Sequence, residues 1–251
     1  MSHHSTSLKK QYWAIVPAAG VGKRMQADRP KQYLSLCEKT VIEQTLDKLF
    51  SVDEISGVVL AISDDDAYWS ELKYKSEKPL YIAQGGGERS DSVLNSLLLL
   101  NKKLNKKLNE KYADTSHVWV LVHDAARPCV RHADILKLIN TASVSDNGGL
   151  LALPVRDTMK RSKNNNQVDK TVSRDGLWHA LTPQMFRLDL LMDSLNQALN
   201  NQQPITDDAS AMELAGFSPL LVEGHEDNIK ITRSFDLQLA ELYLKQQSKQ
   251  T

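Results

Sequence analysis

W-A-I-V-P-A-A-G-V-G-K-R-M-Q-A-D-R-P-K-Q-Y, residues Trp13 to Tyr33, joins a short apolar run to a loop of small residues and then to two cations, Arg24 and Lys31. An apolar run of this length entering a turn reads as a buried strand. Gly20 and Gly22 carry no Cβ, and Ala18 and Ala19 carry little bulk, so a ligand can approach the backbone closely. The amides of such a loop, leading towards a helix, make a cradle for phosphate. Arg24 and Lys31 would add full positive charge where a triphosphate needs neutralising. The stretch reads as a nucleotide-handling site, with Pro17, Ala18, Ala19, Gly20 and Gly22 against the nucleotide.

Two better-known phosphate loops are excluded on spacing. A Walker loop needs Gly four residues before Gly-Lys and then Ser or Thr; here those places hold Pro17 and Arg24. A dinucleotide fingerprint needs a small residue three after Gly22, where Met25 stands.

The same strand-then-loop rhythm continues along the chain. Apolar or β-branched runs recur at Gly57–Ile62, Leu80–Ala83, Val118–Val122 and Leu150–Val155, separated by amphipathic segments at Thr40–Phe50, Asp91–Leu108 and Ala133–Ser143. Buried strands alternating with helices predict a mostly parallel twisted sheet with helices on both faces, an α/β fold of Rossmann-like type. Ligands in such sheets sit outside the carboxyl ends of the strands, where the opening loop lies. Further on, Leu188–Leu199 reads as a helix. Asp207 and Asp208 suit the first turn of another through Leu214, closed by Gly216. A strand at Ser218–Val222 and a helix at Phe235–Gln246 follow.

Two segments break the rhythm. Asn101–Asn109, N-K-K-L-N-K-K-L-N, reads either as a solvated helix extension or as a basic contact surface. Residues 156–180 have an Asn-rich centre between extended arms and read as a β-hairpin protruding from a single domain that spans residues 1–251. A ribbon alone is marginal and needs packing against something, for which a second copy of the chain is the obvious candidate.

Composition bounds the function. The 251 residues hold 31 basic and 31 acidic side chains, so nothing suggests a nucleic-acid or anionic-membrane surface, and cation clusters are local sites. The longest apolar stretches are too short to span a membrane. The N-terminus lacks an apolar signal segment. Cys37 and Cys129, far from any zinc spacing, read as reduced thiols of a cytoplasmic protein.

Three further constellations carry chemistry. G-G-G-E-R-S-D-S-V, Gly85 to Val93, is a second glycine loop between strand and helix, with Gly86 close to the base or ribose and Arg89 and Ser92 as donors. Ser90 or Asp91 could equally be a simple helix cap. H-D-A-A-R-P, His123 to Pro128, ends the apolar run V-W-V-L-V. Asp124 is the candidate ligand for Mg²⁺, which prefers carboxylate and phosphate oxygens. Arg127 reads either as a contact to an anionic substrate or as an ordinary ion pair to Asp124. E-D-N-I-K-I-T, Glu226 to Thr232, offers Asp227 as a second acid, and Lys230 and Thr232 on one side of an extended segment to grip a phosphate. His123 and His179 read as structural hydrogen-bonders and not as catalytic bases.

These motifs occur in one order together with P-V-R-D-T-M-K-R, T-V-S-R-D-G-L-W-H-A-L-T-P-Q and I-T-D-D-A-S. From about Tyr12 to Tyr243 the chain closely resembles the 2-C-methyl-D-erythritol 4-phosphate cytidylyltransferases of non-mevalonate isoprenoid synthesis. The resemblance implies a homodimer with a nucleotidyltransferase fold, dependent on CTP and on Mg²⁺ or another divalent cation, exchanging the 156–180 arm between subunits. By matched motif, Arg24 and Lys31 stabilise the transition state. Ala18, Ala19, Gly20, Gly86 and Ser92 hold the cytidine moiety, and Asp124 lies beside the metal, with Asp227 as the second candidate ligand. Arg127, Lys230 and Thr232 engage the methylerythritol phosphate, Lys230 also serving catalysis, and Thr158 and the catalytic Arg174 reach in from the partner. Gly87 departs from the pattern, which implies a side chain there, often acidic, able to reach the nucleotide.

The chemistry expected is attack of a phosphate monoester on the α-phosphorus of CTP, with pyrophosphate leaving. No general base is needed, because the nucleophile is already an anion near neutral pH. Alternatives are transfer to another polyol phosphate, such as ribitol 5-phosphate, and a non-catalytic nucleotide-binding protein.

Overall fold

The apolar run ahead of the small-residue loop forms β1 (Gln11–Pro17), the third strand from one edge of a seven-stranded sheet. The computed structural model describes residues 9–20, 29–108, 115–163 and 166–249. After β1 come a 3-10 turn (Lys31–Tyr33), the short pair β2 (Ser35–Leu36) and β3 (Lys39–Thr40), α1 (Val41–Phe50), β4 (Ile55–Ile62) and α2 (Trp69–Leu72). Then follow β5 (Leu80–Gln84), α3 (Arg89–Leu108), β6 (Val118–Val122), α4 (His132–Ala142), β7 (Gly149–Pro154) and the ribbon β8 (Met159–Ser162) with β9 (Val168–Val172). β10 (Trp178–Arg187), α5 (Leu188–Asn200), α6 (Asp208–Leu214), β11 (Leu220–Glu223) and α7 (Ser234–Gln247) complete the chain.

The large sheet runs β11-β7-β10-β6-β1-β4-β5. β1 lies parallel to β4 on one side and to β6 on the other. The chain therefore leaves β1 in one direction, to β4 and β5, and returns past it to β6. The strand order reverses at β1 and β6, and a crevice opens there between their carboxyl ends.

Alternation along β1 sorts its side chains to two cores. Ala14 and Val16 face Ile42, Leu46 and Leu49 of α1 and Ile135 and Leu138 of α4. Trp13 and Ile15 face Leu97 and Leu100 of α3 and Leu191 and Leu195 of α5. Period-two alternation on the strand and apolar stripes on helices of both faces make the three layers. A capping box starts α1: the Thr40 hydroxyl accepts from the Glu43 amide, and the Glu43 carboxylate accepts from the Thr40 amide at 2.7 Å.

One local expectation needs revising. The segment expected to be arm up to residue 180 leaves the arm earlier: from Trp178 the chain is already β10, antiparallel to both β6 and β7 inside the main sheet. Only β8 and β9 form the separate ribbon, which leaves most of its side chains exposed. The lysine-rich repeat continues α3 to Leu108, with Leu104 buried, Lys102 and Lys106 exposed, and Lys103 over the Tyr81 ring at 5.2 Å. It is a solvated helix extension. Among the described residues no helix is long and apolar enough to cross a membrane.

Candidate active site

The crevice at the reversal point is a cleft of about 290 Å³. Pro17, Ala18, Ala19 and Gly20 come to it from the end of β1, Gly86, Gly87, Arg89 and Ser92 from the loop entering α3, and Asp124 from the end of β6. Lys31 and Lys230 complete it from the 3-10 turn and the segment before α7. Gly22 and Arg24 fall outside the described residues.

The two glycine loops are pressed together, which explains their composition. A Cβ on Gly85 would lie 2.3 Å from the Cβ of Ala19, and one on Gly86 would lie 2.2 Å from the Cβ of Asp91. A side chain at Gly85 would force the two loops apart, and one at Gly86 would collide with the first turn of α3. Gly87 differs: a Cβ there would meet only Asp91 Oδ2, at 3.7 Å, so the loop has room for the side chain this sequence lacks. The Gly86 amide donates to the Ser92 hydroxyl at 3.0 Å, and that hydroxyl donates to the Glu88 carbonyl at 3.3 Å. Ser92, expected as a donor to the ligand, thus shapes the loop. Asp91 accepts from the Glu88 amide at 2.9 Å, the bland capping role open to it in the sequence.

Asp124 is the electrostatic centre. Its Oδ1 receives Arg89 Nε at 3.1 Å, and its Oδ2 receives Lys230 Nζ at 2.8 Å and faces Arg127 Nε at 3.5 Å. Burial alone would raise this carboxyl, but the three cations outweigh it and hold Asp124 well below the usual carboxylate range. Lys31 enters from the opposite wall, and its ammonium donates to the carbonyl of Ile231, the residue after Lys230, at 3.1 Å. Two lysines from distant segments therefore converge on one corner. The Asp124 amide donates to the Thr182 hydroxyl at 3.1 Å, fixing the turn after β6 to β10.

Several candidates stand elsewhere. Arg127 is buried behind Asp124, outside the cleft lining, and donates to the Asn228 carbonyl at 2.6 Å. The ion pair to Asp124, one of its two readings, is formed at 3.5 Å. Thr232 turns away from the cleft: its hydroxyl and amide donate to Asp236 at 2.9 and 2.8 Å, ordering the start of α7. Asp227 does not line the cleft. Its Oδ2 accepts from Arg131 at 2.7 Å and from Gln247 at 2.9 Å. Thr158 and Arg174 are exposed at the foot of the ribbon, Arg174 donating to the Arg156 carbonyl, and neither lines this chain's own cleft.

Other contacts join stretches that are separate in the sequence. Gln32 is buried and donates to the Ala18 carbonyl at 2.7 Å, tying the turn that bears Lys31 to the first loop. Asn228 donates to the Thr182 carbonyl at 2.8 Å. Asp208 accepts from Arg89 Nη2 at 2.8 Å. Their partners are remote in sequence, so the motifs that hold these residues do not announce the contacts they make.

His123 lies wholly buried beneath this turn. Its Nε2 is 3.0 Å from the Arg127 carbonyl, which can only accept, so Nε2 carries the proton. The Thr182 hydroxyl, 3.0 Å from Nδ1, then donates to it, and the ring is neutral. Burial pushes its pKa down to about 4. His179 is exposed on β10. Because the unfolded chain takes up the proton near pH 6.5 and the folded one only near 4, stability should fall as pH falls through that window. Between pH ~7.5 and ~5 this histidine alone accounts for about 2 kcal/mol. Urea midpoints at the two pH values measure it. The difference should shrink by that amount in His123→Asn; an unchanged difference would show that His123 is not its source.

With this geometry in place, comparison with known proteins is specific. The family model for 2-C-methyl-D-erythritol 4-phosphate cytidylyltransferase matches residues 12–246. The chain is 52% identical over 231 residues to the enzyme of that name from Vibrio vulnificus, covering 92% of this chain and 93% of that one. It is 47% identical over 247 residues to the Photobacterium profundum protein of the same name, covering 97% and 100%. Among solved structures, one described as 4-diphosphocytidyl-2C-methyl-D-erythritol synthase superposes with a TM-score of 0.79 at 33% identity, over 94% of this chain and all of that one. The Francisella tularensis cytidylyltransferase gives 0.77 at 34%, over 93% and 100%.

Proposed function

The chain belongs to the 2-C-methyl-D-erythritol 4-phosphate cytidylyltransferase family, and from that premise we propose how its own residues carry the reaction. The reaction joins a cytidylyl group from CTP to 2-C-methyl-D-erythritol 4-phosphate, giving 4-diphosphocytidyl-2-C-methyl-D-erythritol and pyrophosphate for isoprenoid precursors. The observation that carries the assignment of roles is the set of cations gathered about Asp124 where the two glycine loops meet.

An oxygen of the methylerythritol phosphate attacks the α-phosphorus of CTP. The bond to the bridging oxygen breaks, and its electron pair leaves with pyrophosphate. No proton has to be removed from the nucleophile, which suits a cleft whose buried imidazole is fully engaged by Thr182 and Arg127. The barrier is repulsion between anions and their alignment, and fixed positive charge lowers it. Ala18, Ala19, Gly20 and Gly86 offer backbone close to the cytidine. Lys31 and Arg24 meet charge that develops on the triphosphate, and Lys230 exchanges Asp124 for a phosphate oxygen as substrate enters. Arg127 acts by holding Asp124 and the 227–231 segment in place.

A magnesium ion fits this donor set in one way. Mg²⁺ commonly takes one or two carboxylates and fills its remaining positions with substrate phosphate and water. Among the described residues no three His, Cys, Asp or Glu side chains converge, but Asp124 is an ionised carboxylate at the cleft. Asp124 would hold Mg²⁺, or a similar divalent cation, which when bound offsets charge at the α-phosphate. Asp227, which does not line the cleft, would not take part.

Thr158 and Arg174 supply the second substrate's phosphate contacts if the ribbon of one subunit enters the cleft of another, in a homodimer. The two unpaired cysteines suit work in the cytoplasm. Pyrophosphate release with CTP should be fast with methylerythritol phosphate and negligible with ribitol 5-phosphate; the reverse preference would overturn the substrate assignment. Subunit mixing tests the arm. Lys31→Ala and Arg174→Ala should each be nearly inactive, yet recover about a quarter of full activity when unfolded and refolded together, because half the dimers are mixed and one of their two sites is intact. No recovery would place Arg174 in its own chain's site or outside the site altogether.

A further inference from the structure

Arg89 spends one edge of its guanidinium on two different acids. Nε donates to Asp124 Oδ1 at 3.1 Å, and Nη2 donates to Asp208 Oδ2 at 2.8 Å. These two nitrogens form one of the donor pairs with which an arginine grips a single carboxylate as a bidentate fork. Here the fork is split.

Asp208 is held rigidly for this purpose. It is 1% exposed at the first position of α6. The cap of that helix is not its task, since Asp207 accepts from the Ser210 amide at 2.9 Å. Gln184 of β10 clamps the same turn, donating to Asp207 at 2.8 Å and accepting from the Ala209 amide at 2.8 Å. The remaining oxygen of Asp208 has no hydrogen-bond partner among the described residues. A buried carboxylate with an unsatisfied oxygen costs stability, and helix capping does not explain it. Arg89 does.

The guanidinium stands as a partition. On one side is the 290 Å³ cleft, and on the other a second cavity of about 360 Å³ bordered by Glu88, Ser90, Thr206 and Asp207. Its third nitrogen, Nη1, makes no hydrogen bond to the described residues and remains accessible.

We propose that Asp208 is a positioning residue of the nucleotide site: by holding Nη2 it prevents Arg89 from closing as a fork on Asp124, and so aims Nη1 at the ligand. Without Asp208 the Nε–Nη2 edge swings onto Asp124, the two charges neutralise each other at short range, and Nη1 is withdrawn. The same collapse takes from Asp124 the oxygens it shares with Lys230. This rests on the cleft being the CTP site, which CTP binding to the unaltered protein tests by itself.

The experiment is a double-mutant cycle read by calorimetric CTP binding, with Asp208→Ala, Arg89→Ala and the pair. Asp208→Ala should weaken CTP binding roughly tenfold, the scale of one charge-assisted hydrogen bond. Asp208→Asn, which keeps an oxygen able to accept from Nη2, should weaken it less. In the Arg89→Ala background the Asp208 substitution should add nothing. Unchanged CTP affinity in folded Asp208→Ala protein, or the same loss with and without Arg89, would overturn the proposal. Should Asp208→Ala not fold, the cycle runs with Asp208→Asn and is judged by the same two outcomes. An unaltered protein that does not bind CTP would overturn the reading of the cleft instead.

Discussion

Asp124→Asn should lower kcat roughly 10³-fold while CTP binding in metal-free buffer becomes tighter. The two effects have opposite signs for one reason. The carboxylate is the common partner of Arg89, Lys230 and Arg127, at 3.1, 2.8 and 3.5 Å, and it keeps those cations in a single arrangement. An amide replaces one acceptor with a donor that faces a cation whichever way it turns. The cations separate, and alignment of the two phosphates is lost. Removing a negative charge also makes the cleft more positive, which favours a triphosphate in its ground state. Stability falls too, because Arg127, 10% exposed, loses its charged partner, whereas Arg89 keeps Asp208 and the partly exposed Lys230 can turn to water. Steady-state pyrophosphate release, equilibrium dialysis with CTP and a denaturant midpoint measure the three quantities. Turnover within about tenfold of the unaltered enzyme would remove Asp124 from the chemistry, and weaker CTP binding would contradict the electrostatic account.

Asp124 also shows what could be read in the sequence and what could not. Its place just past the end of a fully apolar strand was legible, because V-W-V-L-V can only be buried and the turn that follows it must lie at the sheet's carboxyl edge. The two glycine loops were legible for a similar reason, since small residues after a strand have few uses other than close approach. The fate of Asp227 was not. D-N-I-K reads as a site motif, yet the partners that occupy its acid, Arg131 and Gln247, come from the start of α4 and the end of α7. The bond from Thr232 to Asp236, four residues on, was not legible either, because alternation along an extended segment takes no account of a local partner. β10 hid behind its own composition: Thr182 and Pro183 interrupt the run, and the register shifts between Ala180 and Gln184. A proline supplies no ladder donor, so a central strand is the last reading its sequence suggests. Motifs made by neighbours in sequence could be found, and contacts made across the sheet could not.

Lys31→Ala should lower kcat by ~10²–10³ with little change in the affinity for CTP or in stability. The structure explains why the loss falls on turnover. Lys31 stands on a one-turn 3-10 segment whose next residue, Gln32, is pinned to the Ala18 carbonyl at 2.7 Å. Its position is thus fixed relative to the loop that receives the nucleotide, and its ammonium rests on the Ile231 carbonyl at 3.1 Å. Lys31 also lines the cleft, so its charge lies where a bound anion would meet it. The hydrogen bond to that carbonyl contributes about 0.5–1.5 kcal/mol net, small beside the expected effect on turnover. Ground-state binding draws on several backbone amides and on other cations and is spread over many contacts. Charge growing on the bridging oxygen as the α-phosphorus bond breaks appears at one point, and a preorganised cation there acts on the transition state alone. Lys31→Arg should recover only part of the rate, because a planar fork cannot occupy the position of a compact ammonium. Single-turnover measurements at saturating CTP separate the chemical step from release. A K31A chemical step near the unaltered rate would confine Lys31 to a structural role, and a CTP affinity loss as large as the kcat loss would make it a ground-state contact.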